Sequence, residues 1–217
     1  SNAVPAPSPE RRELAVAGAT LHVGDHDGGF AFDNELGVHA VELLAGAAGC
    51  SPYLFSLMAR EADWLAPALT GSPEAALDDV LTGLETLGSE ALGLALRRSK
   101  RRVALLAGLT DLGGVWPLEE VTGALTRLAD RSVHLALVTQ VGEEIRRGKL
   151  PGATPDDAAT AGGMVALAMG KMGAGELNYS SDIDLILLFD ETRFDPDDVA
   201  EARASFIKVG RRLTALL

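Results

Sequence analysis

The stretch GKMGAGELNYSSDIDLILLFD, residues 170–190, decides how this chain is read. A glycine-punctuated loop runs into a ribbon of Ile and Leu whose mouth carries two aspartates, Asp182 and Asp184. Burying two carboxylates beside Ile183, Leu185 and Leu187 is costly unless cations or hydrogen bonds compensate. The pair is therefore expected either at an exposed strand end or holding something positive. Side chains at i and i+2 of a strand share a face. Over a strand at 183–189, Asp182 and Asp184 then project together while Ile183 and Leu185 turn into the core.

Two carboxylates on a rigid strand form a hard-oxygen site suited to Mg²⁺, with Mn²⁺ as a substitute. Two such ions roughly 3.5–4 Å apart clamp the attacking and leaving oxygens of a phosphoryl displacement. The upstream loop brings backbone N–H groups toward phosphate oxygens. Lys171 adds a point charge, and Ser180 and Ser181 add hydroxyl donors. An Asp-x-Asp alone is a weak signal, since many are solvated strand ends. The loop is not a Walker motif, because no Gly-Lys-[Ser/Thr] follows at the required spacing. The order strand, glycine loop, serines, Asp-x-Asp, strand is far more specific and suits nucleotidyl transfer.

Working outward, MVALAM (164–169) is a short apolar run bounded by glycines and reads as the preceding strand, with 170–181 a loop holding one helical turn. Asp195-Pro196 opens a last helix carrying Val199, Phe206, Ile207 and Leu213. Upstream the texture is helical from about residue 38. Ser51-Pro52 and Ser72-Pro73 are N-cap and first-turn signals. They lead into Tyr53, Leu54, Leu57 and Met58, and into Leu77, Val80, Leu81 and Leu84. Gly88-Ser89 opens a third segment with Leu92, Leu96, Val103 and Leu106 on one side, broken by Gly113-Gly114. Pro117 starts a fourth, running to about Arg147 with Leu118, Val121, Leu125, Leu128 and Leu135 along one stripe. GKLPGATPDD (148–157) is a loop. Residues 20–35 suit a small hairpin or a loop, turning at Asp27-Gly28-Gly29.

Ser1-Asn2-Ala3 reads as the remnant of a removed affinity tag and is set aside. The expected organisation is a partly flexible segment at 4–37, a helical module at 38–160 and the start of an α/β unit at 161–217. The fold class is α+β. Two strands make no stable sheet alone, so either strands from residues 20–32 join them or the unit is incomplete.

The chain has 217 residues, 47 % of them apolar, enough for a sizeable core. Its formal charge of −12 makes it a poor general nucleic-acid binder. No run approaches the ~20 apolar residues of a membrane span. The single cysteine, Cys50, forms no internal disulfide, which fits a reducing compartment; cytoplasm is the default.

The segment AMGKMGAGELNYSSDIDLILLFD resembles the signature of the glutamine synthetase adenylyltransferase/adenylyl-removing enzymes, large bifunctional bacterial proteins with two nucleotidyltransferase domains of the DNA polymerase β-like superfamily. The wording GELNYSSDID is closest to the first copy, the one that removes AMP. SPYLFSLMAREADWL (51–65) and LRRSKRRVALLAGLTDLGG (96–114) are similar to helical segments that precede that copy. The resemblance covers roughly residues 40–217.

The resemblance implies phosphorolysis: phosphate attacks the AMP-tyrosine phosphodiester of glutamine synthetase, giving ADP and free tyrosine. It implies that the other copy attaches AMP from ATP, and that the PII signal protein and glutamine regulate both. Asp182 and Asp184 map onto the family's metal-binding pair, and Gly170, Gly173 and Ser181 onto its phosphate-side loop. Where family members often carry a double glycine, this chain has Gly173-Ala174, which preserves anion binding only if that position needs no positive φ. The family's third carboxylate lies on a later strand, in an Asp-x-Arg-Leu-Arg-Pro segment absent before Leu217. Asp190, Glu191, Asp195, Asp197 and Asp198 come too early to replace it. The chain is thus expected to be an amino-terminal fragment with an incomplete site, binding metal weakly and turning over little.

Other residues have plainer readings. His22, Asp25, His26 and Asp27 suit a solvated turn better than a metal site. The basic run 97–102 suits a salt-bridged helix face. Trp64 and Trp116 suit packing, and Cys50 a buried structural thiol. Glu176 and Asn178 suit loop stabilisation. Two competing functions stand beside the leading one: a nucleotidyltransferase acting on a small molecule or RNA, and a helical docking module with a vestigial Asp pair.

Overall fold

The computed structural model describes residues 12–16, 19–23, 38–84 and 89–217. Strands β1 (Arg12–Val16) and β2 (Ala19–Val23) pair antiparallel as a sheet of their own. This pair is not the hairpin expected over residues 20–35, since its two strands connect before residue 19, and β2 does not join the later strands. His22 lies in β2, while Asp25, His26 and the turn at Asp27-Gly29 fall outside the described residues.

Helix α1 (Val38–Cys50) buries Val41, Leu44, Ala47 and Ala48 on one face. Cys50 points away from that face and is exposed, which corrects the expectation of a buried thiol. At 100° per residue it lies far round the helix from Leu44. Both Ser-Pro signals act as read. Ser51 Oγ accepts from the Leu54 N–H at the start of α2 (Pro52–Arg60), with proline in the first turn. The apolar sequence after it is not one helix: the chain bends at Glu61 (φ −116°, ψ 24°) into α3 (Ala62–Thr70). Ser72 caps α4 (Pro73–Thr82) through the Ala75 N–H.

Helix α5 (Ser89–Leu112) is the centre of the helical part. Its predicted stripe, Leu92, Leu96, Val103 and Leu106, packs with α4 and Trp116. A second face, Ala104, Leu105 and Leu109, packs with α1 and α2. There Gly108 lets Leu54 approach, since a Cβ would lie 2.9 Å from Leu54 Cδ2. Helix α6 (Leu118–Arg146) spans 29 residues, roughly 43 Å. Its first half buries Val121, Ala124 and Leu128 against α4 and α5. Leu118, placed on that stripe from sequence, is instead exposed, because it stands at the first turn where the stripe has no neighbour to cover it.

The second half of α6 belongs to a different core. Ala136, Leu137 and Val141 pack with Leu150, Met164 and α8 (Val199–Leu216). Buried Glu144 of α6 accepts from Arg212 of α8 at 2.5 Å and from Arg147 at 3.3 Å, tying the two helices together. A 3₁₀ segment, Pro155–Gly163, broken by a kink at Thr160, Ala161 and Gly162, leads into β3 (Met164–Ala168). A single turn, α7 (Gly170–Gly173), follows, and then β4 (Leu185–Phe189). Strands β3 and β4 pair antiparallel, Met164 opposite Phe189 and Ala168 opposite Leu185. Their inner face meets α8, where Phe189, Phe194 and Phe206 form a ring cluster with centroids 4.8–6.3 Å apart. Helix α8 itself begins three residues later than Pro196. The chain is α+β, mostly helical, with this small antiparallel sheet at its C-terminal end.

Candidate active site

The strand with the Asp pair starts at Leu185, two residues later than the sequence suggests. The extended alternation nevertheless runs through both aspartates. Asp182, Asp184, Ile186 and Leu188 are exposed, and Ile183, Leu185, Leu187 and Phe189 are half-buried. The Met169 N–H donates to the Asp184 carbonyl at 2.9 Å, adding one rung beyond the sheet proper. Both carboxylates therefore share the outward face, while Ile183 and Leu185 pack toward Val133 and Met172.

Between the strands the backbone is folded tightly. The N–H groups of Gly173, Ala174, Gly175 and Glu176 donate to the carbonyls of Met169, Gly170, Met172 and Lys171. These donors are engaged inside the α7 turn. The first-turn N–H groups of Gly170, Lys171 and Met172 have no acceptor of their own within the helix. Gly170 (φ 56°) and Gly175 (φ 77°) supply the left-handed residues that bend the loop in and out. Ala174 is right-handed (φ −85°, ψ −7°), so alanine in place of the family's second glycine imposes no backbone strain. Lys171 is exposed.

Asn178 organises the approach to the aspartates. Its Oδ1 accepts from the Ser180 N–H at 3.2 Å and from Ser181 Oγ at 2.7 Å, and its own N–H donates to Ser181 Oγ at 3.2 Å. The Ser181 hydroxyl proton thus already has an acceptor in the loop. Thr126 and Asp111 were not legible as site residues. Thr126 Oγ1 accepts the Leu177 N–H at 3.2 Å, and the Tyr179 hydroxyl donates to Asp111 at 3.1 Å. Burial, then Asp111, push the Tyr179 phenol above its usual range, so it keeps the proton it donates. The one sequence signal for Thr126 was a polar residue on the apolar side of α6.

Asp182 and Asp184 are exposed acceptors with no ion pair to a neighbouring cation among the described residues, a donor set that fits a hard divalent ion. Among the described residues no group of three or more His, Cys, Asp or Glu gathers at one place. The end of the basic run is engaged elsewhere: Arg101 and Arg102 donate through Nε to buried Glu61 at 2.6 and 2.9 Å, and Arg102 lies 5.2 Å from the Trp64 ring, while Arg97, Arg98 and Lys100 are exposed. Trp116 is buried and donates to Glu74 at 2.6 Å. Both tryptophans are packing anchors. Among the described residues no helix is long and apolar enough to cross a membrane.

Fold and site together define an α+β protein in which a helical module feeds an antiparallel strand pair with two acidic side chains at its mouth. A family model described as glutamate-ammonia ligase adenylyltransferase matches residues 41–217, and the chain belongs to that family of nucleotidyltransferases. It is similar to bifunctional glutamine synthetase adenylyltransferase/adenylyl-removing enzymes of several bacteria. These include Rhodopseudomonas palustris strain CGA009 (43 % identity over 181 residues, 80 % of this chain and 18 % of the relative). A Bradyrhizobium strain (BTAi1) gives 43 % identity over 180 residues, 81 % of this chain and 18 % of the relative. Caulobacter vibrioides gives 38 % over 178 residues, 80 % and 18 %. The chain thus spans about a fifth of the length of these relatives. No solved structure matches it.

Proposed function

We propose that this chain carries the phosphate-side loop and two metal-binding carboxylates of the nucleotidyltransferase unit that removes AMP from glutamine synthetase. The observation that carries the reading is the shared outward face of Asp182 and Asp184, reached directly from a glycine-rich loop packed on a helical module. The likeness of GELNYSSDID to the adenylyl-removing copy supports that half over the adenylylating one. The unit is proposed to have the polymerase β-like core of its superfamily.

In this reading inorganic phosphate attacks the phosphorus of the AMP-tyrosine ester. A P–O bond to phosphate forms, the P–O bond to tyrosine breaks, and the tyrosinate takes up a proton, leaving ADP. Asp182 and Asp184 hold Mg²⁺, which when bound supplies positive charge to the phosphoryl oxygens. The first-turn N–H groups of α7, Lys171 and the Ser180 hydroxyl face the phosphates. Gly170 lets the backbone come close, Gly173 seats the phosphate-side turn against β3, and Ser181 holds the approach. ATP at the other copy, the PII protein as regulator and a cytoplasmic setting complete the proposal; nucleic acid and membrane are not partners in it.

The test is an NMR titration of the chain with Mg²⁺ and Mn²⁺, beside Asp182→Asn and Asp184→Asn. Shifts and broadening centred on residues 182–184, abolished by either substitution, are expected. No such change at millimolar metal overturns the metal reading and leaves the docking-module alternative. Retention of adenylylated glutamine synthetase on the immobilised chain then separates the protein substrate from a small-molecule one. Efficient phosphorolysis by residues 1–217 alone would refute the expectation that a third carboxylate is needed.

A further inference from the structure

The loop between β3 and β4 is not held by the sheet alone. The ladder ends at Asp184, so the position of Asp182 depends on the loop behind it. That loop contains Gly170, Gly173 and Gly175, which gives it little stiffness of its own. Its middle rests on the helical module at two points. Leu177, only 4 % exposed, sits with Met172 against Val133 of α6. One helical stretch up, Thr126 Oγ1 accepts the Leu177 N–H at 3.2 Å. The Thr126 hydroxyl donates in turn to the Thr122 carbonyl at 2.8 Å, which fixes its rotor and aims a lone pair at the loop. Two residues beyond Leu177, the Tyr179 hydroxyl donates to Asp111 Oδ2 at 3.1 Å near the end of α5. Asn178 locks the residues between Tyr179 and Asp182.

We propose that Thr126 and Asp111 are positioning residues for the Asp182–Asp184 pair: the helical module sets the pose of the carboxylates through the Leu177 N–H and the Tyr179 hydroxyl. The inference deepens the metal-site reading above and rests on it. Without the Thr126 oxygen, the Leu177 N–H is a donor buried among apolar side chains, and such a donor seeks water. The loop then lifts from α6 and carries Asp182 with it.

The experiment uses the 217-residue chain with Thr126→Val, Thr126→Ser and Tyr179→Phe. Valine keeps the shape and removes the acceptor; serine keeps the acceptor and removes the methyl group. Amide hydrogen exchange over residues 177–184 and Mn²⁺ affinity, read from broadening at residues 182–184, are the two measurements. Thr126→Val is expected to speed exchange of the Leu177 amide by about tenfold and to weaken Mn²⁺ severalfold. Thr126→Ser should restore both toward wild type, whereas a packing role alone would make serine the worse variant. Tyr179→Phe, a change at a half-exposed side chain that leaves the fold intact, should speed exchange at residues 178–182 and weaken Mn²⁺. Wild-type exchange and affinity in both Thr126→Val and Tyr179→Phe, or serine proving worse than valine, overturns the proposal. If the wild-type chain binds no Mn²⁺ at the pair, the metal reading fails, and exchange alone then decides whether these residues position the loop.

Discussion

Substitution of Gly173 tests how closely the candidate loop is fitted to the sheet. Gly173 ends α7 beneath the last residue of β3. A Cβ built there would lie 3.1 Å from the Ala168 carbonyl carbon and closer still to its oxygen. The obstacle is strand backbone, paired across to Leu185, and it cannot rotate aside as a side chain would. Gly173 is not among the positive-φ residues, so the barrier is contact and not conformation. In Gly173→Ala the α7 turn must move off the strand, stretching the 3.2 Å bond from the Gly173 N–H to the Met169 carbonyl. Overpacking of this kind costs about 1–3 kcal/mol. In a chain of this size each kcal/mol shifts the melting temperature by about 2–4 °C, so a fall of roughly 2–12 °C is expected. Gly123→Ala is the control: it lies inside α6 with nothing within 4 Å of the added Cβ, and alanine there should raise stability by up to about 1 kcal/mol. Thermal unfolding by circular dichroism gives the difference, and amide shifts at Ala168 and Met169 locate it. If Gly173→Ala melts with the wild type and leaves those amides in place, the fit of loop to strand is wrong.

Three further outcomes follow from the geometry. Glu61→Ala should cost about 3 kcal/mol in chemical denaturation, because it strands two guanidinium groups that lose their shared buried carboxylate. That figure is at the low end for a buried pair, since the Arg101 and Arg102 side chains stay 33 % and 27 % exposed. Asp157 titrates below the ordinary carboxylate range, held there first by the Thr154 N–H, then by the Thr154 hydroxyl and Arg193. Its contribution is therefore present above the unfolded value of about 3.9 and is lost as pH falls through the lower folded value. Wild type should lose melting temperature more steeply than Asp157→Asn below about pH 4. Ala161 sits in the left-handed region (φ 50°) with its methyl in the core, so in Ala161→Gly the ~1–2 kcal/mol of relieved strain is offset by the lost buried methyl and the freer unfolded chain; a change within about 1 kcal/mol of zero is expected in denaturant titration, and a loss above about 2 kcal/mol would contradict the assigned backbone.

What the sequence by itself determined is local. The Ser-Pro caps, the stripes of α4 and α5 and the turn in the glycine loop depend on residues within a few positions of one another. The shared face of Asp182 and Asp184 was legible for the same reason, because a two-residue period needs no distant partner. The family likeness was carried by contiguous segments, chiefly 168–190 with 51–65 and 96–114 beside it. What only the tertiary structure decided involves positions far apart in the chain. Glu61 meets residues 40 and 41 positions later, and Thr126 meets Leu177 across 51. No spacing rule reports such pairs, since they depend on how helices stack. Cys50 and Leu118 were misplaced for a related cause: periodicity marks a face, but only neighbouring elements determine whether that face is covered. Helix α6 shows both limits at once, one continuous pattern whose first half serves the helical core and whose second half supports the sheet with the candidate site.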